Sequence, residues 1–188
     1  MTIDFCNLNT CECSDIGTLF NKSTLSRVLT LKNFSSDKID KLDSTFANSE
    51  YEEVHIKNFE MPNLRSVNKL FFDCRKLKEV SIDISGRQLA DITALFSRCF
   101  NLEHMDISKL CLSNVTHTTG AFYGCSKLTE IDLNSYDPKI EITHYYGTFF
   151  NCTGLKHIIV RDDYIDGIKR ALKEYSLRDV EIIIADDY

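Results

Sequence analysis

The stretch AFYGCSKLTEIDL, Ala121–Leu133, sets a phenylalanine, a cysteine and a leucine three residues apart and closes on the alternating pair Ile131 and Leu133. The same order recurs along the chain. Phe71, Phe96, Phe122 and Phe149 each precede a cysteine by three residues, at Cys74, Cys99, Cys125 and Cys152, in steps of 25, 26 and 27. Three residues further on stands a leucine (Leu77, Leu102, Leu128, Leu155). An apolar pair follows each time: Val80 and Ile82, Met105 and Ile107, Ile131 and Leu133, Ile158 and Val160. Two earlier copies carry serine in place of cysteine. Phe46 and Ser49 lead to Tyr51, Val54 and Ile56, and Phe20 and Ser23 lead to Leu25, Leu29 and Leu31. LKNF at 31–34 and IKNF at 56–59 repeat at the same step of 25, which brings the count to six copies.

Self-similarity at a fixed period of about 20 to 50 residues signals a repeat architecture. The alternating pair reads as a short strand with one buried face, and F-x-x-C as a helical turn whose i and i+3 residues share a side. One such coil cannot bury its own apolar face. Successive coils must therefore stack, with parallel strands about 4.8 Å apart. The expected fold is an α/β solenoid of about six coils, with a parallel sheet on one face and short helical turns on the other. Its spine is the phenylalanine ladder, each ring contributing roughly 2 to 3 kcal/mol by burial.

LSNVTHTTGAFYGCSKLTEIDL, Leu112–Leu133, resembles the consensus of the BspA-like leucine-rich repeats, including the related repeats of mycoplasma surface proteins: a small-residue turn, an aromatic, Gly-Cys, a serine, then LxxLDL. The likeness extends in weaker form from about Ile16 to Val160. It implies a leucine-rich-repeat solenoid used as a recognition surface.

The whole chain reads as one domain, since 188 residues with 43% hydrophobic content supply one well-buried core. Residues 1–15 are expected as an N-terminal cap, with TIDFCNL as an irregular extra strand; 16–160 hold the six repeats; 161–188 form a C-terminal cap. In that last segment, Tyr164–Tyr175 spaces Ile165, Ile168, Leu172 and Tyr175 as one helix face, and EIIIADD follows as a strand with Asp186 and Asp187 outward. Open solenoids need such caps because a terminal coil leaves an apolar face and a strand edge in water.

A net charge of −6 excludes a phosphate-tracking basic surface and favours a partner rich in Lys and Arg. MTIDFCNLNTCECSD has neither a basic start nor an apolar run, and no window approaches 18 apolar residues. The expected setting is cytoplasmic, without membrane contact, and the eight cysteines are expected as free thiols. The sequons at Asn21, Asn33, Asn114 and Asn151 are accordingly discounted.

Repetition assigns Cys74, Cys99, Cys125 and Cys152 to packing, because a ladder residue that serine replaces has no adjacent base to activate it. Cys6, Cys11 and Cys13 form C-x4-C-x-C, a weak match to zinc knuckles with no histidine before His55, and Cys111 sits in a turn. The histidines are His55, His104, His117, His144 and His157, of which His55, His104 and His157 flank buried strand pairs and so point outward. No phosphate loop, dinucleotide fingerprint, HExxH or GxSxG is present, so the expectation is no enzyme, no cofactor, no metal and no small-molecule substrate.

What remains is the outward strand face, expected on the concave side of the solenoid. Its columns run Val28, Thr30, Lys32; Glu53, His55, Lys57; Glu79, Ser81, Asp83; His104, Asp106, Ser108; Glu130, Asp132, Asn134; His157, Ile159, Arg161. Between Glu53 and Asp132 this array holds six carboxylates and one lysine. Glu53, His55, Glu79, Ser81, Asp83, His104, Asp106, Glu130, Asp132 and His157 are the candidate contacts for a basic protein partner. Tyr123 and Tyr146 are candidate aromatic anchors on the opposite side. Three readings stay open: generic protein recognition, a small phage or mobile-element inhibitor of a nucleic-acid-handling nuclease such as a CRISPR effector, and a fragment of a cell-surface adhesin.

Overall fold

The computed structural model describes residues 1–6, 12–134 and 146–185. Apolar residues spaced two apart build the strands, and the chain returns to the same line once per coil. The strands are β1 (Thr2–Asp4), β2 (Val28–Ser35), β3 (Glu53–Glu60), β4 (Glu79–Ser85), β5 (His104–Asp106), β6 (Glu130–Asp132), β7 (His157–Val160) and β8 (Glu181–Ile184). Every pairing is parallel and joins consecutive strands. The sheet is not continuous, however: β1 to β5 form one sheet and β6 to β8 a second.

The phenylalanine ladder is the spine of the core. Rings stack from Phe20 to Phe46 at 5.3 Å, to Phe71 at 5.0 Å, to Phe96 at 5.4 Å, to Phe122 at 6.1 Å and to Phe149 at 6.0 Å. All six are buried, as are the strand pairs Leu29 and Leu31, Val54 and Ile56, Val80 and Ile82, and Ile158 and Val160. Three apolar positions depart from expectation. Leu25 is 75% exposed, because the register sets Ser26, not Leu25, at the coil position that Tyr51 fills. Met105 and Leu133 are only half-buried, and both lie beside the break between the two sheets.

The side opposite the strands is made of turns that do not propagate into helix. Cys74, Cys99, Cys125 and Cys152 each close an i to i+3 bond onto the ladder phenylalanine. Two residues before and two after that phenylalanine the backbone is left-handed: Ser44 and Asn48, Lys69 and Asp73, Ala94 and Arg98, Gly120 and Gly124, Gly147 and Asn151. A helix requires a run of right-handed residues, so these flanking positions end the turn at one residue triplet. The freed N–H groups donate to the next coil instead, as in Phe46 N to Leu70 O, Phe71 N to Leu95 O and Phe96 N to Ala121 O.

The cysteines also have a polar task. The Cys74, Cys99, Cys125 and Cys152 thiols donate to the carbonyls of Phe46, Phe71, Phe96 and Phe122, one coil back, at 3.0, 3.0, 3.2 and 3.0 Å. Each such bond occupies a second lone pair on a carbonyl that would otherwise be buried half-satisfied. Ser49 takes the same position one coil earlier, and its hydroxyl lies 3.5 Å from the Cys74 sulfur.

KNF proves to be a strand bulge with its own ladder. Asn33 and Asn58 adopt left-handed backbone, and the register shifts between Ile56 and Phe59, which turns Phe34 and Phe59 into the core. The Asn58 amide donates to Asn33 Oδ1 at 3.0 Å, and the Asn33 amide to Asp4 Oδ1 at 2.8 Å. That bond, with Lys32 at 3.0 Å, holds the Asp4 carboxyl well below the usual carboxylate range.

Both termini are tied to the solenoid. β1 pairs with β2 as the extra N-terminal strand, and the Met1 ammonium donates to Val28 O at 2.6 Å. Helix α1 (Ile165–Glu174) buries Ile168, Ala171 and Leu172 over the last coil, and β8 pairs with β7. Asp186 and Asp187 lie outside the described residues.

Candidate functional site

Alternation along each strand and a near-constant coil length bring residues 25 to 27 apart into columns. One column runs Val28, Glu53, Glu79, His104, and the next Thr30, His55, Ser81, Asp106. In the second sheet Glu130, His157 and Glu181 align, beside Asp132 and Ile159. None of the ten candidate contact residues is buried: Glu79, Asp83, His104, Asp106 and Glu130 are exposed, and Glu53, His55, Ser81, Asp132 and His157 half-buried. The three strand histidines do not share one column, since His104 follows Glu79 while His55 precedes Ser81. The break at β5 also divides the face, so the columns do not run through as one array.

Charge pairing separates this face from its margin. At the strand entries, Glu52 bonds Arg27 at 2.8 Å and Lys78 at 2.8 Å, Glu50 meets Lys76 at 2.9 Å, and Glu103 meets Lys127 at 3.4 Å. Arg27 and then Lys78 hold the Glu52 carboxyl down at about 2. On the face, by contrast, no Lys or Arg among the described residues lies within 4 Å of Glu53, Glu79, Asp83, Asp106, Glu130 or Asp132. The neighbours that do reach them are histidines: His55 Nε2 lies 3.8 Å from Glu53, and His157 lies 3.8 Å from Glu130 and 3.5 Å from Glu181. His55 Nδ1 is 2.9 Å from Ser81 Oγ. Hydrogen bonds from the Ser108 hydroxyl and amide lower the Asp106 pKa and keep that carboxylate ionised.

The ladder thiols are sealed in, and burial raises Cys99 and Cys125 well above the ordinary thiol and Cys152 to about 12. Cys6 is exposed and Cys13 half-buried, while Cys11 and His144 lie outside the described residues. Among the described residues no cluster of three His, Cys, Asp or Glu is placed to hold a metal ion, and no helix is long and apolar enough to cross a membrane. The sequon asparagines Asn21, Asn33 and Asn114 spend their amides on Ser44 O, Asp4 Oδ1 and Arg87 O.

On the turn side, Tyr123 and Tyr146 are exposed as expected, and sequence reasoning missed Phe150. It stacks on Tyr123 at 5.2 Å and stands edge-on to Tyr175 at 6.1 Å. Tyr123 and Phe150 both directly follow a ladder phenylalanine, but that position alone is no signal, since Ala47 and Ser97 hold it in earlier coils and are buried.

The stacked coils, the repeated turn and the strand columns are matched by a family model for the BspA type leucine rich repeat region, six copies over residues 42–178. The chain belongs to the BspA-type leucine-rich repeats. The matched span begins one coil after the Phe20 copy and runs through α1. No curated protein and no solved structure matches the chain. BspA-type repeats, as leucine-rich repeats, point to protein-protein interaction or adhesion, and the fold here presents the extended side surface such binding uses.

Proposed function

We propose that this protein is a non-enzymatic recognition module that binds a basic protein partner through its outward strand face in a reducing compartment such as the cytoplasm. The observation that carries the reading is the contrast in charge pairing. Carboxylates at the strand entries have Lys or Arg partners within 4 Å, whereas Glu53, Glu79, Asp83, Asp106, Glu130 and Asp132 have none among the described residues. Carboxylates that the chain's own Lys and Arg do not pair with keep a field on this face that speeds encounter with Lys and Arg and disfavours acidic competitors. The reducing setting is supported by the buried free thiols, which serve as hydrogen-bond donors in the core.

A narrower reading follows from the same charge. A compact acidic face on a small solenoid is suited to occupy a basic nucleic-acid channel, so a nucleic-acid-handling enzyme is one partner class, with inhibition as the outcome. The adhesin reading is the family's other use, and it would place the same face against an extracellular protein.

The experiment is affinity capture from a bacterial lysate with identification of the retained protein, comparing wild type with the triple variant Glu79→Lys, Asp106→Lys, Asp132→Lys. Capture of a basic partner by the wild type and its loss from the variant, at unchanged circular dichroism, is the expected result. Equal retention by both proteins would remove the strand face as the binding site.

A further inference from the structure

We propose that the opening between β5 and β6 receives an extended segment of the partner reading basic, apolar, basic, which pairs with the free edge of β5. This rests on the acidic-face reading and narrows it to one groove. β5 is the last strand of the first sheet and β6 the first of the second. Among the described residues no strand pairing joins the two, whereas paired strands run about 4.8 Å apart. The turn side stays closed at this level, with Phe96 N donating to Ala121 O at 2.7 Å and Arg98 N to Tyr123 O at 2.6 Å. The coils therefore part only on the strand side. The chain leaves β5 after three residues because Asp106 Oδ1 accepts from Ser108, and leaves β6 after three because Asp132 Oδ1 accepts from Asn134 N.

Three features of the groove define its occupant. Its walls include strand edges whose N–H and C=O groups have no paired strand among the described residues, and an exposed edge is a template for one more strand. Its floor holds Met105, half-buried, while Val80 beside it in register and Ile131 in the next coil are sealed. Its rim carries Glu79, Asp106, Glu130 and Asp132 with His104 between them. Side chains of a strand alternate between faces. A segment lying alongside β5 thus directs one side chain inward over Met105 and the two flanking ones outward, toward Asp106 and Asp132 at one end and Glu79 and Glu130 at the other. Charge complementarity makes the flanking residues Lys or Arg, and the half-covered Met105 makes the central one aliphatic.

The test is fluorescence anisotropy of the full chain with a labelled nonapeptide carrying a central Lys-Leu-Lys in a Gly, Ser and Thr frame. Saturable binding is expected, weakened about tenfold or more by each of three changes: Leu to Gly in the peptide, N-methylation of the central amide, or Glu130→Lys with Asp132→Lys in the protein. Binding that survives both peptide changes would mean charge attraction alone and would overturn the groove. Self-association that the peptide cannot displace would also overturn it, since the groove would then hold a second copy of this chain. If the peptide fails to bind while Glu53→Lys with Glu79→Lys still abolishes capture of the lysate partner, this inference fails and the acidic-face reading stands. If neither assay responds, both fall.

Discussion

Truncating Phe96 to alanine is the most direct probe of the solenoid core. The ring is fully buried and lies between Phe71 at 5.4 Å and Phe122 at 6.1 Å, so its loss opens a void with aromatic walls above and below. Removal of a buried phenylalanine costs about 3 to 5 kcal/mol once transfer and cavity terms are combined. Against a total stability of about 5 to 15 kcal/mol this is a large fraction. For a chain of this length each kcal/mol moves the midpoint by about 2 to 4 °C, so Phe96→Ala should melt about 6 to 20 °C below wild type. Phe20→Ala should lose less, because that ring has one stacked neighbour and is 8% exposed. Phe150→Ala, on a ring 47% exposed and stacked on Tyr123, should cost about 1 kcal/mol or less. Thermal melts followed by circular dichroism order the three. A Phe96→Ala midpoint no lower than that of Phe150→Ala would refute the ladder as the spine of the fold.

Three further outcomes follow from local geometry. Ala94 sits at φ 52 where later coils place glycine, so Ala94→Gly should stabilise the protein by about 0.5 to 1 kcal/mol and Gly120→Ala should destabilise it by a similar amount in urea titrations. Iodoacetamide at pH 8 should leave Cys74, Cys99, Cys125 and Cys152 unmodified until the chain is unfolded, and mass spectrometry of peptides from the native protein would reveal any early labelling. Glu52 has a folded pKa of about 2 against its ordinary 4.5, so the stability its pairs contribute is complete above pH 4.5 and lost as pH falls toward 2; Glu52→Gln should flatten the acid limb of the stability curve in that window.

Much of the site was legible because one rule governs both inside and outside. A strand places successive side chains on opposite faces, and a coil of 25 to 27 residues returns to the same line, so identifying Val54 and Ile56 as core also identified Glu53 and His55 as surface. The same logic located α1 from Ile168 and Leu172 and the added strand β1 from Thr2–Asp4. It failed at Leu25, where the first coil departs from the repeat, and at Met105, where period alone predicts burial. It also read KNF only as a marker of the period, although Asn33 and Asn58 form a polar ladder ending on Asp4.

By itself, then, the order of residues determined the coil, the ladder, the family and which strand residues alternate between core and surface, since each of these depends on spacing along the chain. The tertiary structure alone decided that the turns are left-handed at both flanks, that thiols cap carbonyls one coil back, that the strand-face carboxylates have no Lys or Arg partner among the described residues, and that the sheet opens between β5 and β6. Those facts depend on distances between atoms in neighbouring coils, set by the combined backbone angles of a whole turn. Strand pairing fails once adjacent strands stand more than about 5 Å apart, a through-space quantity that residue periodicity does not carry.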